Sequence, residues 1–197
     1  MPKILYSPAS PFASKARMVA TYVGYAYEPV LTKTDDMPAA LLAANPLGKI
    51  PALVTDDGKG VFDSKVITQF LNRWSGGKAL PKNADKRLEA EMMESLADGI
   101  SDCAVACIYE LRLRPEEKIY QPWIDKQWSK VSRGLDLLEA SALKLPAKIH
   151  AGHIAQAACL SYLGLRFPEW SKGRPKLKRW LKKFSDKFPE LAEMLPK

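Results

Sequence analysis

Ser10 stands in the run Ser7-Pro8-Ala9-Ser10-Pro11-Phe12, directly after a short apolar segment. Pro11 favours the first turn of a helix, so the Ser10 hydroxyl lies at a helix N-terminus as its N-cap. A hydroxyl there can donate a hydrogen bond to a bound anion; the plain alternative is an ordinary capping serine. Ser64 is also placed as an N-cap, and the free N–H groups just beyond it can take a carboxylate. Pro51 enters a strand, where its missing N–H falls outside the ladder. If the Ile50-Pro51 bond is cis, Ile50 turns its N–H and C=O outward, and an extended peptide can pair there as an added strand. Lys49, beside that edge, can pair with a carboxylate or stay a solvated loop lysine. A peptide edge and a carboxylate site a few residues apart suit a small acidic peptide.

These residues need a scaffold, and Asn45 to Gln69, NPLGKIPALVTDDGKGVFDSKVITQ, supplies its centre. Pro46 and Pro51 bracket a loop, and Ala52 to Thr55 reads as a strand. Asp56-Asp57-Gly58-Lys59-Gly60 is a hairpin turn, and Val61-Phe62 is the returning strand. Asp63-Ser64 opens a helix with Val66, Ile67, Phe70 and Leu71 at apolar spacing. Upstream, the pattern predicts a strand over 3–7, a helix from Pro11 to Gly24, a short edge strand over 27–31 and a helix over 38–44. The order is β-α-β-α-β-β-α. Residues 75–81, SGGKALP, read as a linker. Beyond it no strand is expected. The pattern gives a long helix over 82–113 broken in register at Gly99, a helix over 123–143, and a loop to Gly152. An almost wholly apolar helix follows over 153–167, then a basic one over 175–188.

NPLGKIPALV followed by FDSKVI resembles the glutathione-binding half of a glutathione S-transferase, on a thioredoxin-like domain. The resemblance covers essentially the whole chain, specific in residues 1–76 and looser in 82–197. It implies an α/β thioredoxin-like N-terminal domain followed by an all-α C-terminal domain that contributes the acceptor pocket. It also implies a cis Ile50-Pro51 that holds the cysteinyl part of glutathione, with Asp63 and Ser64 on the γ-glutamyl end. Ser10 then matches the serine, or in some branches the cysteine, that acts on the glutathione thiol, with Ser7, Tyr6 and Ser14 as alternatives. A thiol with a pKa of about 8.5 needs roughly 2.7 kcal/mol of preference for its anion to drop two units. One hydrogen bond to a charged group contributes about 1.5–3 kcal/mol and a helix start about 0.3–1, so a serine suffices without a metal.

Composition bounds the rest. The chain has 197 residues, 47% hydrophobic, with a net charge of +8. No apolar run approaches a membrane span, and the N-terminus reads as too polar for a secretory signal. Cys103, Cys107 and Cys159 form no Cys-x-x-Cys pair, which points to a reducing cytoplasm. They read as small apolar residues, and two cysteines make no zinc site without further ligands. The basic segment KGRPKLKRWLKK reads as a solvated helix face over core residues Leu177, Trp180, Leu181 and Phe184, with no nucleic-acid motif beside it.

The expected activity is conjugation of glutathione to a small hydrophobic electrophile, with Phe12, Ile100, Cys103 and Cys107 lining the acceptor pocket. The alternative is a non-catalytic relative that uses the fold for binding or as a scaffold. The resemblance also implies a homodimer, and His153 and Gln156 at the positions of a helix-capping box that usually carries serine or threonine and aspartate.

Overall fold

The computed structural model describes residues 1–141 and 144–197. Strands β1 (Lys3–Tyr6), β2 (Glu28–Leu31), β3 (Ala52–Val54) and β4 (Gly60–Phe62) form one sheet in the order β2-β1-β3-β4. The β1/β2 pair is parallel; β1/β3 and β3/β4 are antiparallel. Side chains alternate across the sheet, so its faces bury different residues. Ile4 and Leu53, directly opposite in register, pack with Ala16 and Val19 of α1 (Pro11–Val23) and Ile67 and Leu71 of α3 (Ser64–Trp74). Leu5 and Ala52 cover the other face with Leu41 and Ala44 of α2 (Ala39–Ala44). The layers press closely: a side chain at Gly60 would run into the Ala44 carbonyl. Pro29 falls on the edge strand, where a missing donor costs no ladder bond.

The helical part comprises α4 (Ala84–Leu113), α5 (Gln121–Ala140), α6 (Ala151–Arg166), α7 (Pro175–Lys187) and the short α8 (Pro189–Ala192). A thioredoxin-like sheet followed by helices is therefore the architecture. Among the described residues, no helix is long and apolar enough to cross a membrane. The buried helix is α6, which packs on α1, α4 and α7, with every residue from Ala151 to Leu160 buried. Leu177, Trp180 and Phe184 turn inward from α7 while its lysines face out.

Several elements differ from the sequence expectations. Helix α4 passes through Gly99 unbroken, since the backbone hydrogen bonds continue and Gly99 points to open space. Val66 is exposed on α3, and Thr68 is buried, its hydroxyl donating to the Ser64 carbonyl at 2.9 Å. The glycine-rich linker is anchored at one end: Ala79 and Leu80 are buried, Leu80 N–H donates to Asn72 Oδ1 at 3.0 Å, and Ala79 C=O accepts from Ala151 N–H at 2.8 Å. Helix α5 starts at Gln121, ahead of Trp123, and its expected end at Leu143 lies outside the described residues. Helix α6 starts at Ala151, two residues early, and its capping pair is His150 with His153 in place of His153 with Gln156. His150 is its N-cap, and His153 Nδ1 accepts from the His150 N–H at 3.3 Å. Burial holds both imidazoles neutral, lowering His150 to about 4 and His153 to about 3, the latter further through its neighbour.

The sheet half and the helical half are joined through a charged group. Lys15 on α1 is 1% exposed, and its Nζ meets Glu94 Oε1 at 2.9 Å and Asp98 Oδ2 at 2.6 Å on α4. Burial pushes the Asp98 carboxyl above its usual range, against the pull of Lys15. Nearby, the Tyr22 hydroxyl donates to the Ile149 carbonyl at 2.7 Å. Removing one member of a buried ionic cluster strands the others without compensation. Lys15→Met is therefore expected to lower stability by about 3–5 kcal/mol, whereas Lys15→Met/Glu94→Leu/Asp98→Leu recovers most of it. Urea unfolding of the three proteins checks this, and a single variant with the wild-type midpoint would contradict it.

Candidate functional site

The first candidate residue closes the loop after β1. Ser10 N–H donates to the Ser7 carbonyl at 3.1 Å, and Ser10 C=O accepts from Ser14 N–H at 2.9 Å, starting α1. Ser10 Oγ accepts from Ala13 N–H at 3.2 Å, so the residue is the N-cap, with Pro11 behind it. Among the described residues the Ser10 hydroxyl proton has no acceptor. It is half-buried, available to a ligand at the helix start.

Of the alternatives, Ser14 is the one whose hydroxyl is engaged among the described residues. Ser14 is buried and donates to the Met194 carbonyl. The Tyr6 ring lies under the Arg17 guanidinium, 4.0 Å from its centroid. Ser7 offers its carbonyl to Ser10. The C-terminal segment also braces this loop, with Lys197 N–H on the Pro8 carbonyl at 3.3 Å.

The Ile50-Pro51 peptide is cis. Its approach is built by Asn45, a buried residue that the sequence reading did not single out as functional. Asn45 Nδ2 donates to Lys49 C=O at 2.7 Å, its Oδ1 accepts from Leu47 N–H at 3.1 Å, and its own C=O accepts from Gly48 N–H at 2.9 Å. An Asn-Pro dipeptide is a turn signal that could have flagged it. Among the described residues, neither the N–H nor the C=O of Ile50 makes a hydrogen bond within the chain, which leaves a short backbone edge.

At the start of α3 the expectation needs correcting by one position. Asp63, not Ser64, is the N-cap: its carboxylate accepts from Lys65 N–H at 2.8 Å, and Ser64 is the first helical residue, buried. Asp63 has φ 67° and ψ 127°, a region that side chains other than glycine's rarely adopt. Such backbone costs of order 1–3 kcal/mol and persists only where its surroundings enforce it. Ser64 N–H remains at the helix start.

Helix α4 adds charges that the sequence did not single out. Lys65 Nζ donates to Ser95 Oγ at 3.0 Å. One turn beyond Asp98, Asp102 faces the same corner. Partial burial raises its carboxyl, Lys65 pulls it back, Asp63 adds to the rise, and Lys15 and Lys49 lower it. Asp63, Asp102, Lys49 and Lys65 thus share one electrostatic neighbourhood.

The expected acceptor wall on α4 does not form where it was placed. Ile100 is buried against Gly134 of α5, and Cys107 is fully buried, its Sγ facing the Ile124 carbonyl at 3.7 Å. Cys103 is half-buried, in the field of Lys130 and Arg133 of α5. Ile100 and Cys107 therefore belong to the α4–α5 seam. Burial raises all three thiols in the chain, Cys159 to about 12, so each is a neutral thiol at pH 7. Phe12, half-buried beside Ser10, is the one proposed pocket residue next to the candidate site.

The shifted cap can be tested directly. Asp63→Ala is expected to cost about 1 kcal/mol of stability through loss of the cap, whereas Ser64→Ala stays within about 0.5 kcal/mol. Thermal unfolding of the two variants compares them, and a larger loss in Ser64→Ala would return the cap to Ser64.

A family model described as Glutathione S-transferase, N-terminal domain, matches residues 9–74. The uncharacterized GST-like protein YibF of Escherichia coli K12 is 30% identical over 181 residues, covering 89% of each chain. A glutathione S-transferase from Methylobacillus flagellatus, solved with glutathione bound, superposes with a TM-score of 0.91 at 32% identity, covering 100% of both chains. A glutathione transferase family member from Pseudomonas fluorescens Pf-5, also with bound glutathione, gives 0.90 at 33% identity over 100% of both chains. With a sheet order, a helix start and a full-length likeness that agree, the chain belongs to the glutathione S-transferase family.

Proposed function

We propose that this protein binds glutathione, stabilises its thiolate through Ser10 and conjugates it to a small hydrophobic electrophile. The observation that carries the reading is the Ser10 hydroxyl, held at the start of α1 by the Ala13 N–H, with no acceptor for its proton among the described residues. On this reading residues 1–76 hold glutathione and residues 82–197 help to hold the acceptor. The Ile50 edge beside Pro51 pairs with the cysteinyl backbone. The γ-glutamyl end is a zwitterion: the N–H groups at the start of α3 suit its carboxylate, and Asp63 with Asp102 suits its ammonium group. Lys49 is left for the glycyl carboxylate. Phe12 flanks the acceptor. The three free thiols fit a reducing compartment such as the cytoplasm.

The chemistry asks little of the protein beyond position and one donor. The serine stays a hydrogen-bond donor throughout. The thiolate sulfur attacks the electrophilic carbon, and the leaving group departs with the electron pair, or the double bond of an acceptor takes a proton from water. The thiol proton goes to solvent on ionisation.

Ser10→Asp separates the cap from the donor. It keeps an oxygen for Ala13 N–H, so stability is retained, but it offers no proton and places a negative charge beside the sulfur. The bound thiol's pKa is expected to rise by more than about one unit, and turnover with an aryl halide at neutral pH to fall at least about tenfold. Ser10→Ala raises the pKa by about one to two units and also loses about 1 kcal/mol of helix cap. Thiolate absorbance of bound glutathione against pH is the decisive measurement. Curves that superimpose on wild type remove Ser10 from the mechanism, and absence of glutathione binding removes the reading as a whole.

The same reading includes a homodimer. Leu88 and Met92, one turn apart on α4, are 58% and 63% exposed, and Val66 and Trp74 on α3 are 49% and 54% exposed, an apolar surface that a second copy would cover. Sedimentation is expected to give twice the chain mass at micromolar concentration, and a monomer would overturn the dimer.

A further inference from the structure

Helices α4 and α6 finish at the end of the molecule where α1 begins, and the polar side chains they carry there have no role assigned above. Gly152, near the start of α6, lies against Ala90 and Met93 of α4, and Cys159 lies against Ser101. The two helices therefore run parallel, and the same register carries Tyr162 and Arg166 to the far end of α4, beside Tyr109 and Arg112. Tyr109 with Arg112, and Tyr162 with Arg166, each share a helix face by their spacing. Residues 196 and 197 tie this end to the Ser10 loop. Ser161 Oγ donates to the Pro196 carbonyl at 3.3 Å, and Lys197 N–H donates to the Pro8 carbonyl at 3.3 Å. Tyr162 directly follows Ser161, so the four side chains stand at the same end as Ser10.

Their chemistry is that of an anion site without its anion. Tyr162 is 4% exposed, and burial pushes its hydroxyl up to about 12 against the pull of Arg166 and Arg112, so it is a donor at neutral pH. Arg166 is half-buried and stands beside that hydroxyl. Its Nε–H is enclosed with no acceptor, while its outer nitrogens are not enclosed. Among the described residues neither Arg166 nor Arg112 makes an ion pair. Glu110, the one carboxylate of α4 beyond Asp102, is committed to Arg114, Oε1 to Nε at 2.7 Å. Two neighbouring guanidinium groups repel each other, and a ligand anion between them relieves that repulsion. Phe12 beside Ser10 and Tyr109 at the edge of the group supply aromatic surface for an apolar body.

Resting on the glutathione reading above, we infer that the acceptor is an electrophile that carries a carboxylate on the side away from its reacting carbon. Arg166 and Arg112 pair with the carboxylate, Tyr162 donates to it, and Phe12 and Tyr109 flank the apolar part. The carboxylate takes no part in the bond change. With 4-chloro-3-nitrobenzoate, the glutathione sulfur bonds to the ring carbon that bears chlorine, and chloride leaves with the electron pair.

The test is binding, so that it stands whether or not turnover is fast. S-(4-carboxy-2-nitrophenyl)glutathione and its carboxamide counterpart differ only in the charge at issue. Titration calorimetry on the full chain is expected to show the carboxylate conjugate at least tenfold tighter, with the gap narrowing as salt is raised. Glutathione is expected to displace both conjugates. Arg166→Gln, and separately Arg112→Gln at an exposed position, are expected to shrink the gap at least threefold by weakening the carboxylate conjugate alone. Equal affinity of the two conjugates in the wild type overturns the inference and leaves glutathione binding standing. A preference that both variants retain, or a carboxylate conjugate that glutathione does not displace, places the anion elsewhere and also overturns it. If neither conjugate nor glutathione binds, the glutathione reading fails and the inference falls with it.

Discussion

A lysine ammonium with almost no access to water is the constraint on which the two halves of this structure depend. Lys15 lies five residues after Ser10 on α1 and reaches Glu94 and Asp98 on α4. A buried ionic cluster is a weak source of stability compared with apolar packing, because each ion loses its hydration. It is a strong source of register. Sliding α1 along α4 by one turn would strand three charges, whereas an apolar seam would tolerate the shift more readily. The register matters because Ser10 begins one helix and Asp102 sits one turn beyond Asp98 on the other. The cluster sets where those two residues lie relative to each other, and Lys65 on Ser95 ties the start of α3 to the same helix.

The remaining joints have the same polar character at lower cost. Tyr22 reaches the Ile149 carbonyl, Asn72 receives Leu80, and Ala79 receives Ala151. Each satisfies a backbone group that would otherwise be buried without a partner, a loss of about 1–3 kcal/mol apiece. The apolar work is done by α6, buried throughout its first ten residues. Its N-terminus needs a cap that can itself be buried, and neutral His153 supplies an acceptor where a carboxylate would have to be desolvated as a charge.

The parts of this arrangement legible in the sequence are those set by local chemistry. Ser10-Pro11 marks a helix start whatever surrounds it, Asp-Gly marks a hairpin, and the α6 stretch has almost no polar side to expose. Lys15 was not legible, because a lysine in an amphipathic helix ordinarily points to water and its partners lie 79 and 83 residues away. The cap of α3 was displaced by one because the chain enters that helix through Asp63 at positive φ, which residue types alone do not disclose for a non-glycine. The sequence alone offers Ile100 and Cys107 as pocket residues because α4 carries apolar residues on more than one side. Helix α4 meets both α5 and α6, and periodicity does not say which neighbour each side faces.

The position of Ser10 explains how a weak acid such as serine can serve on the proposed mechanism. Its oxygen accepts from Ala13 N–H, and on that mechanism its proton goes to the bound sulfur, so the two bonds would polarise each other in sequence. A hydroxyl elsewhere on α1 would lack both this acceptor role and the partial positive charge of the helix start. The anion needs roughly 2.7 kcal/mol for a two-unit shift, while a charged hydrogen bond contributes about 1.5–3 and the helix start about 0.3–1. The sum reaches the requirement with little to spare. A donor tilted away by the loss of the cap would fall short, so the stability of the first turn of α1 and the acidity of the bound thiol depend on the same hydroxyl.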